Sequence, residues 1–177
     1  MTSFIIAITA ETSKRDRALF LTAYRHGLRA SEIGMLQRTD VDLKRGHITI
    51  QRFKGSLSGL QSMQPDEQKL IRSYLASRKD HSPYLFISNR NLPIDHRTLW
   101  VLMRDYAEAA GIPASKRKLH PLKHRLATHL LDAGADLSFV KDWLGHANIQ
   151  NTTIYAQLTN VKRGETARRL FASHWVV

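Results

Sequence analysis

Apolar residues recur along most of this chain at the three- and four-residue spacing of a helix, interrupted once by alternation. Between positions 13 and 26, Leu19, Phe20, Ala23 and Tyr24 share one helical face, and Gly27 follows where a helix needs a terminator. A second short helix is predicted from Ser31, a suitable N-cap, with Ile33, Met35 and Leu36 turned inward. The period then changes. Positions 41–43, the turn Lys44-Arg45-Gly46 and positions 47–53 read as a hairpin, because Ile48 and Ile50 alternate with Thr49 and Gln51. Lys54-Gly55-Ser56 breaks that strand, and positions 60–64 return as a third.

Helical spacing resumes at Pro65, a residue suited to a first turn, and runs to about Arg78 with Leu70, Ile71, Tyr74 and Leu75 inward. Tyr84-Leu85-Phe86-Ile87 reads as a short strand. Asp95 caps a helix carrying Leu99, Leu102, Met103 and Tyr106, ended by Gly111 and Pro113. His120-Pro121 opens another, with Leu122, Leu126, Leu130 and Leu131 on one face and Gly134 behind it. A short helix starting at Asp136 or Ser138 ends at Gly145. Asn148 caps the next, through Tyr155 to Leu158, and a basic helix covers positions 162–171. With no internal repeat, low-complexity stretch or Pro/Gly/Ser-rich linker, the pattern predicts one domain. Its class is α+β, mainly α: helices around a small antiparallel sheet.

Charge narrows the partner. Lysine and arginine number 27 against 15 acidic residues, a net charge of +12, and the isoelectric point is about 10.4. A basic folded domain points to a polyanion, and nucleic acid is the commonest. The clusters Lys116-Arg117-Lys118 and Lys123-His124-Arg125 flank His120. The absence of cysteine excludes a disulfide scaffold, a thiolate-ligated zinc or iron–sulfur site and a cysteine nucleophile. The early apolar run Phe4-Ile5-Ile6-Ala7-Ile8 is far too short to span a bilayer and has no basic residue before it. It reads as a short strand or a packed arm.

Four segments carry candidate chemistry: Gly27-Leu28-Arg29-Ala30-Ser31-Glu32-Ile33; Arg52-Phe53-Lys54-Gly55; His120-Pro121-Leu122-Lys123-His124-Arg125; and Leu144-Gly145-His146-Ala147 followed by Asn151-Thr152-Thr153-Ile154-Tyr155. Each is weak alone. In this order, with Leu-Gly-His nine residues ahead of a tyrosine, the set resembles the catalytic domain of the tyrosine recombinases, or phage-integrase family. The likeness runs from about Arg15 to Leu158. It implies the recombinase catalytic fold and a site-specific reaction that cleaves and rejoins double-stranded DNA through a 3′-phosphotyrosyl intermediate, with no metal, ATP or other cofactor.

The resemblance also implies roles. Tyr155 is the nucleophile; a free phenol has a pKa of about 10, so a cationic pocket must favour the phenolate. Arg29 binds non-bridging oxygens of the scissile phosphate through its planar fork, and Glu32, one turn on, orients it. Lys54, on the hairpin turn, is the general acid for the departing 5′-oxygen, with Lys44, Arg45 and Arg52 as rivals for that position. His120 serves proton transfer, and His146 donates a hydrogen bond to a phosphate oxygen.

Two departures stand out. The family writes His-x-x-Arg where this chain has His120-Pro121-Leu122-Lys123, so the second arginine is Lys123, which keeps the charge and loses the fork. Arg125 cannot replace it, because two residues along a helix rotate a side chain by about 200°. The chain is also short. It is expected to be a single catalytic domain over 1–177 without the N-terminal DNA-clamp domain, either an excised piece or a minimal member like the fimbrial phase-switch invertases. Further expectations are a prokaryotic or phage origin, a cytoplasmic location, no membrane partner, and self-association into a tetramer on DNA with a monomer when free. Positions 162–177 are candidates for a segment exchanged between neighbours. The alternatives are a catalytically weakened DNA-binding relative, a type IB topoisomerase-like relaxing enzyme, and a metal-dependent nuclease on His120, His124 and His129, which lack a nearby carboxylate set.

Overall fold

The computed structural model describes residues 13–53, 56–113, 120–148, 150 and 152–153, with the backbone path alone for 120–122. Helix α1, Lys14–Arg25, begins where the Ser13 hydroxyl accepts from the Asp16 amide at 3.1 Å, and its last turn gives way to Gly27 at φ 56°. Helix α2 is Ala30–Met35. A 3-10 turn, Arg38–Asp40, leads into a three-stranded antiparallel sheet in the order β1 (Val41–Asp42), β2 (His47–Ile50), β3 (Gly59–Ser62). Its register pairs Val41 with Ile48 and Thr49 with Leu60. Helices α3 (Pro65–Ser77), α4 (His96–Ala109), α5 (His120–Asp132) and α6 (Leu137–Leu144) complete the described elements. Asp95 and Asp136 cap α4 and α6 through their carboxylates.

A large core joins α1, α2, α3 and α4 to the inner face of the sheet. Leu19, Ile33, Ile48, Ile71, Phe86 and Leu99 are fully buried in it. A smaller core of Leu126, Ala127, Val140 and Leu144 packs α5 against α6, with Tyr24 and Trp143 at its edge. The two meet at Gly27. A Cβ there would stand 2.6 Å from Leu144 Cδ2 and 3.3 Å from Leu126 Cδ2. The bare backbone is what lets the helix pair close on the end of α1.

Four expectations need correction. The residue preceding α2 is Arg29, not Ser31, because the Glu32 carboxylate reaches back to the Arg29 amide at 2.7 Å and starts the helix two residues earlier. Met35 is half exposed, and the inward residues of α2 are Glu32, Ile33 and Gly34. Positions 84–87 do not form a ladder strand. They are pinned one bond at a time, by the bridges Gln37↔Tyr84 and Ile87↔Pro93 and by Leu85 N donating to Leu36 O at 2.7 Å. Leu85 and Phe86 are buried by this route without extending the sheet. The third strand is shorter than expected, since Met63 leaves it to donate to Gly46 O. The helix read from Asn148 to Leu158 is described only in part, at 150 and 152–153; the basic stretch 162–171 lies outside the described residues.

Candidate active site

Arg29 lines a cleft of about 630 Å³ together with Leu28, Ser31, Met35, Ile94, His96 and Lys123. Its backbone is extended, at φ −77° and ψ 158°. Its NH1 donates to Glu32 Oε1 at 2.8 Å and to Ser56 Oγ at 3.2 Å. Glu32 is buried and accepts from the Arg29 amide, the Arg29 guanidinium and Arg52. Burial alone would raise its carboxyl pKa. The Arg29 amide and the charge of Arg52 outweigh burial and hold it below the usual range. Glu32 is therefore ionised and orients Arg29, as its one-turn offset suggested.

Lys123 lies on the buried side of α5 at 7% exposure, while Arg125 lies on the exposed side. The helical rotation that separates the two in sequence separates them in space. Lys123 Nζ donates to Leu144 O at 2.7 Å. Burial first, then the charges of Arg52 and Arg29, push its pKa down to about 7, with Glu32 opposing. Its ammonium is thus poised near neutrality in the protein without DNA.

His146 follows Gly145, which ends α6 in the left-handed conformation at φ 66°. The His146 amide donates to Lys141 O at 2.9 Å, and its Nδ1 lies 2.9 Å from the buried Thr152 hydroxyl. Burial and the neighbouring charge of Lys123 lower its pKa to about 4. At neutral pH it is an uncharged imidazole, able to donate a hydrogen bond without adding repulsion to a crowded cationic site. Arg29, Lys123 and His146 are thus brought together. Lys54, Tyr155 and the side chain of His120 lie outside the described residues.

Arg52, a rival for the hairpin cation, does not occupy a solvated turn. Its side chain is 1% exposed and forms a 2.8 Å ion pair with Glu32. Lys44 and Arg45 remain at the β1–β2 turn, where their amides donate to Asp42.

Behind Arg52 is a polar cluster that sequence reading missed. Buried His26 places Nδ1 2.7 Å from Gln61 Oε1 and Nε2 3.0 Å from Glu67 Oε1, and its ring stacks on Trp143. Gln61 Nε2 donates to Trp143 O at 2.7 Å. One signal was legible: Glu67, Ile71 and Tyr74 follow the i, i+4, i+7 spacing of an inward stripe, so Glu67 was a buried carboxylate in need of a partner.

The donors of this arrangement are of the kind that can hold a monoanionic phosphodiester and become more favourable as charge accumulates on it. Arginine and lysine supply fixed donors, neutral histidine adds another, and the Glu32 carboxylate is consumed internally.

The profile of the phage integrase family matches residues 3–161. The chain belongs to the phage integrase family. It is 37% identical over 158 residues to tyrosine recombinase XerA of Thermococcus kodakarensis, covering 88% of this chain and 55% of that protein. It is 34% identical over 149 residues to the type 1 fimbriae regulatory protein FimE of Escherichia coli K12, covering 81% of this chain and 75% of that one. A crystal structure of XerA recombinase superposes with a TM-score of 0.78 at 30% identity, over 99% of this chain and 61% of the other. The XerH site-specific recombinase bound to a palindromic difH substrate, in a post-cleavage complex, superposes with a TM-score of 0.78 at 25% identity, over 94% of this chain and 50% of the other. The chain thus spans little more than half of the XerA proteins it matches and three quarters of FimE.

Proposed function

We propose that this chain is a site-specific DNA strand-transfer enzyme that cleaves and rejoins duplex DNA through a covalent bond between Tyr155 and a 3′-phosphate. The observation that carries the reading is that Arg29 and Lys123 line one cleft while buried His146 lies close enough to feel the charge of both, in the order and spacing of a recombinase motif set. The +12 net charge supports a DNA partner, as does the DNA complex of the similar XerH protein.

In this mechanism the Arg29 fork grips two non-bridging oxygens, Lys123 adds a third cationic donor, and neutral His146 donates through a ring N–H. Tyr155 attacks phosphorus. The bond to the 5′-oxygen breaks, and the proton for that leaving group comes from Lys54. The energy of the broken diester is kept in the phosphotyrosyl bond, so religation needs no ATP. His120 manages the proton of the attacking phenol. Assembly of four copies on two duplexes belongs to the same proposal.

The test uses a duplex that the protein itself selects from a random pool, nicked near the cleaved phosphate so that religation fails. The parent accumulates a protein–DNA adduct on a denaturing gel, and EDTA does not reduce it. Tyr155→Phe binds the same duplex and forms none. An adduct with Tyr155→Phe moves the nucleophile elsewhere, and loss of cleavage with EDTA favours a metal nuclease.

A further inference from the structure

Arg52 takes no part in the chemistry above, yet it ties together the two segments that supply it. Its NH1 donates to Gly27 O at 3.0 Å and to Glu32 Oε2 at 2.8 Å. Its NH2 donates to His26 O at 2.7 Å and to Trp143 O at 3.1 Å. The first three acceptors belong to the stretch that carries Arg29. The fourth stands three residues ahead of His146. His26 O and Trp143 O stand at the carboxyl ends of α1 and α6, where free carbonyls carry partial negative charge and need donors.

The contact with α6 is close on both sides. Leu57 N donates to Gly145 O at 3.0 Å, and Arg52 N donates to Ser58 Oγ at 2.9 Å. A Cβ on Gly145 would lie 2.6 Å from Leu57 O and 3.1 Å from Arg52 Cγ. On the other side, Glu32 holds Arg52 with one oxygen and Arg29 NH1 with the other. Arg29 and the Gly145–His146 turn therefore share one guanidinium plane as their common reference.

A planar fork has separated donors and reaches carbonyls on two sides at once. An ammonium concentrates its donors at one point. We infer that Arg52 is a positioning residue that holds Arg29 and His146 in register, so that strand cleavage requires its fork and not merely its charge. This rests on the strand-cleavage reading above.

The test is single-turnover adduct formation on the self-selected nicked duplex, with DNA affinity and thermal unfolding measured for the same samples. Arg52→Lys keeps the charge beside Glu32. It is expected to bind the duplex within about twofold of the parent and to cleave about 100-fold more slowly, the usual scale for misaiming one transition-state donor. On a His146→Ala background the same change is expected to cost tenfold or less, because part of what Arg52 positions is already gone. A simple folding brace predicts equal losses on both backgrounds, and that result overturns the inference. So does cleavage within threefold of the parent, or affinity falling in step with rate, which would make Arg52 a DNA contact. If Arg52→Lys is unfolded at the assay temperature, Gly145→Ala replaces it. It removes no charge, presses on Arg52 and Leu57, and must show the same loss of rate at retained affinity; parent-like cleavage refutes the proposal. A parent that forms no adduct at all removes the strand-cleavage reading and this inference with it. An active parent with an active Arg52→Lys removes the inference alone.

Discussion

Lys123 and Leu144 are joined by a 2.7 Å hydrogen bond from the ammonium to a carbonyl two residues before His146. The bond spans the two helices of the smaller core and brings the lysine to the inner wall of the cleft that Arg29 lines. An arginine at this place would stay charged at every working pH. A lysine that is buried there, and then crowded by Arg52 and Arg29, does not.

The proposed strand cleavage is therefore expected to depend on pH in a particular way. With a pKa of about 7, the charged fraction of Lys123 falls from about nine in ten at pH 6 to about one in a hundred at pH 9. A bound phosphate shifts the midpoint upward, because it favours the ammonium. The ratio of parent to Lys123→Arg single-turnover rates cancels the titration of the nucleophile. That ratio is expected to fall at least tenfold between pH 6 and pH 9. A constant ratio would show that Lys123 does not titrate in the reacting complex.

Lys123→Ala should slow cleavage by 10²-fold or more while weakening DNA binding only a few-fold, since the interaction strengthens as charge builds on the phosphate. Arg125→Ala, on the opposite side of α5, should show the reverse pattern. Rates and affinities of both variants decide this; an unchanged rate for Lys123→Ala with a large loss for Arg125→Ala would place the second cation on the wrong residue.

Binding to duplex DNA should weaken steeply with salt. Each phosphate neutralised contributes about −0.9 to the slope of log affinity against log salt. A fluorescence-anisotropy titration from low to moderate salt measures it. A nearly flat response would remove nucleic acid as the partner.

Acid should destabilise the fold through Glu32 and His146. The Glu32 carboxyl is held low in the folded chain, so its contribution is present above the ordinary carboxylate range and is lost as pH falls through the folded value. His146 has a folded pKa of about 4 against an ordinary 6.5. Between these values the unfolded chain binds the proton more tightly, so stability drops as pH falls from 6.5 to 4. Lys123 acts at the other end, adding stability as pH rises from about 7 toward its ordinary 10.5. Urea midpoints at pH 4.5, 7 and 9 should rise in that order. His146→Gln should flatten the acid part, and an unchanged slope would argue against a buried neutral histidine.

Gly27→Ala should destabilise by about 2–4 kcal/mol. A left-handed alanine costs about 1 kcal/mol and overpacking a further 1–3, because the new methyl meets Leu144 Cδ2 at 2.6 Å. Equilibrium urea unfolding measures the loss. A change below about 0.5 kcal/mol would mean that the helix pair yields freely at this point.

The chain's own order of residues determined a great deal. The spacing of Leu19, Phe20 and Ala23, the alternation of Ile48 and Ile50, and the caps Asp95 and Asp136 all act within a few residues, so they are legible without a fold. The motif order pointed to the family, and the i+3 and i+5 offsets from His120 put Lys123 and Arg125 on different sides of one helix. Glu32 was identified as the partner of Arg29 because both lie in one turn.

Arg52 could not be read this way. Beside Lys54 on a basic hairpin it has the sequence context of a solvated cation, and what buries it is the end of α1, the start of α2 and the end of α6, the last of these 91 residues away. His26, Gln61 and Glu67 are linked by the same long-range closure. Local order determined which elements form and which residues carry chemical potential. Tertiary structure decided which cations face the cleft and which are spent holding it together, because burial, fork geometry and the pKa of Lys123 depend on neighbours that meet only when the two cores close at Gly27.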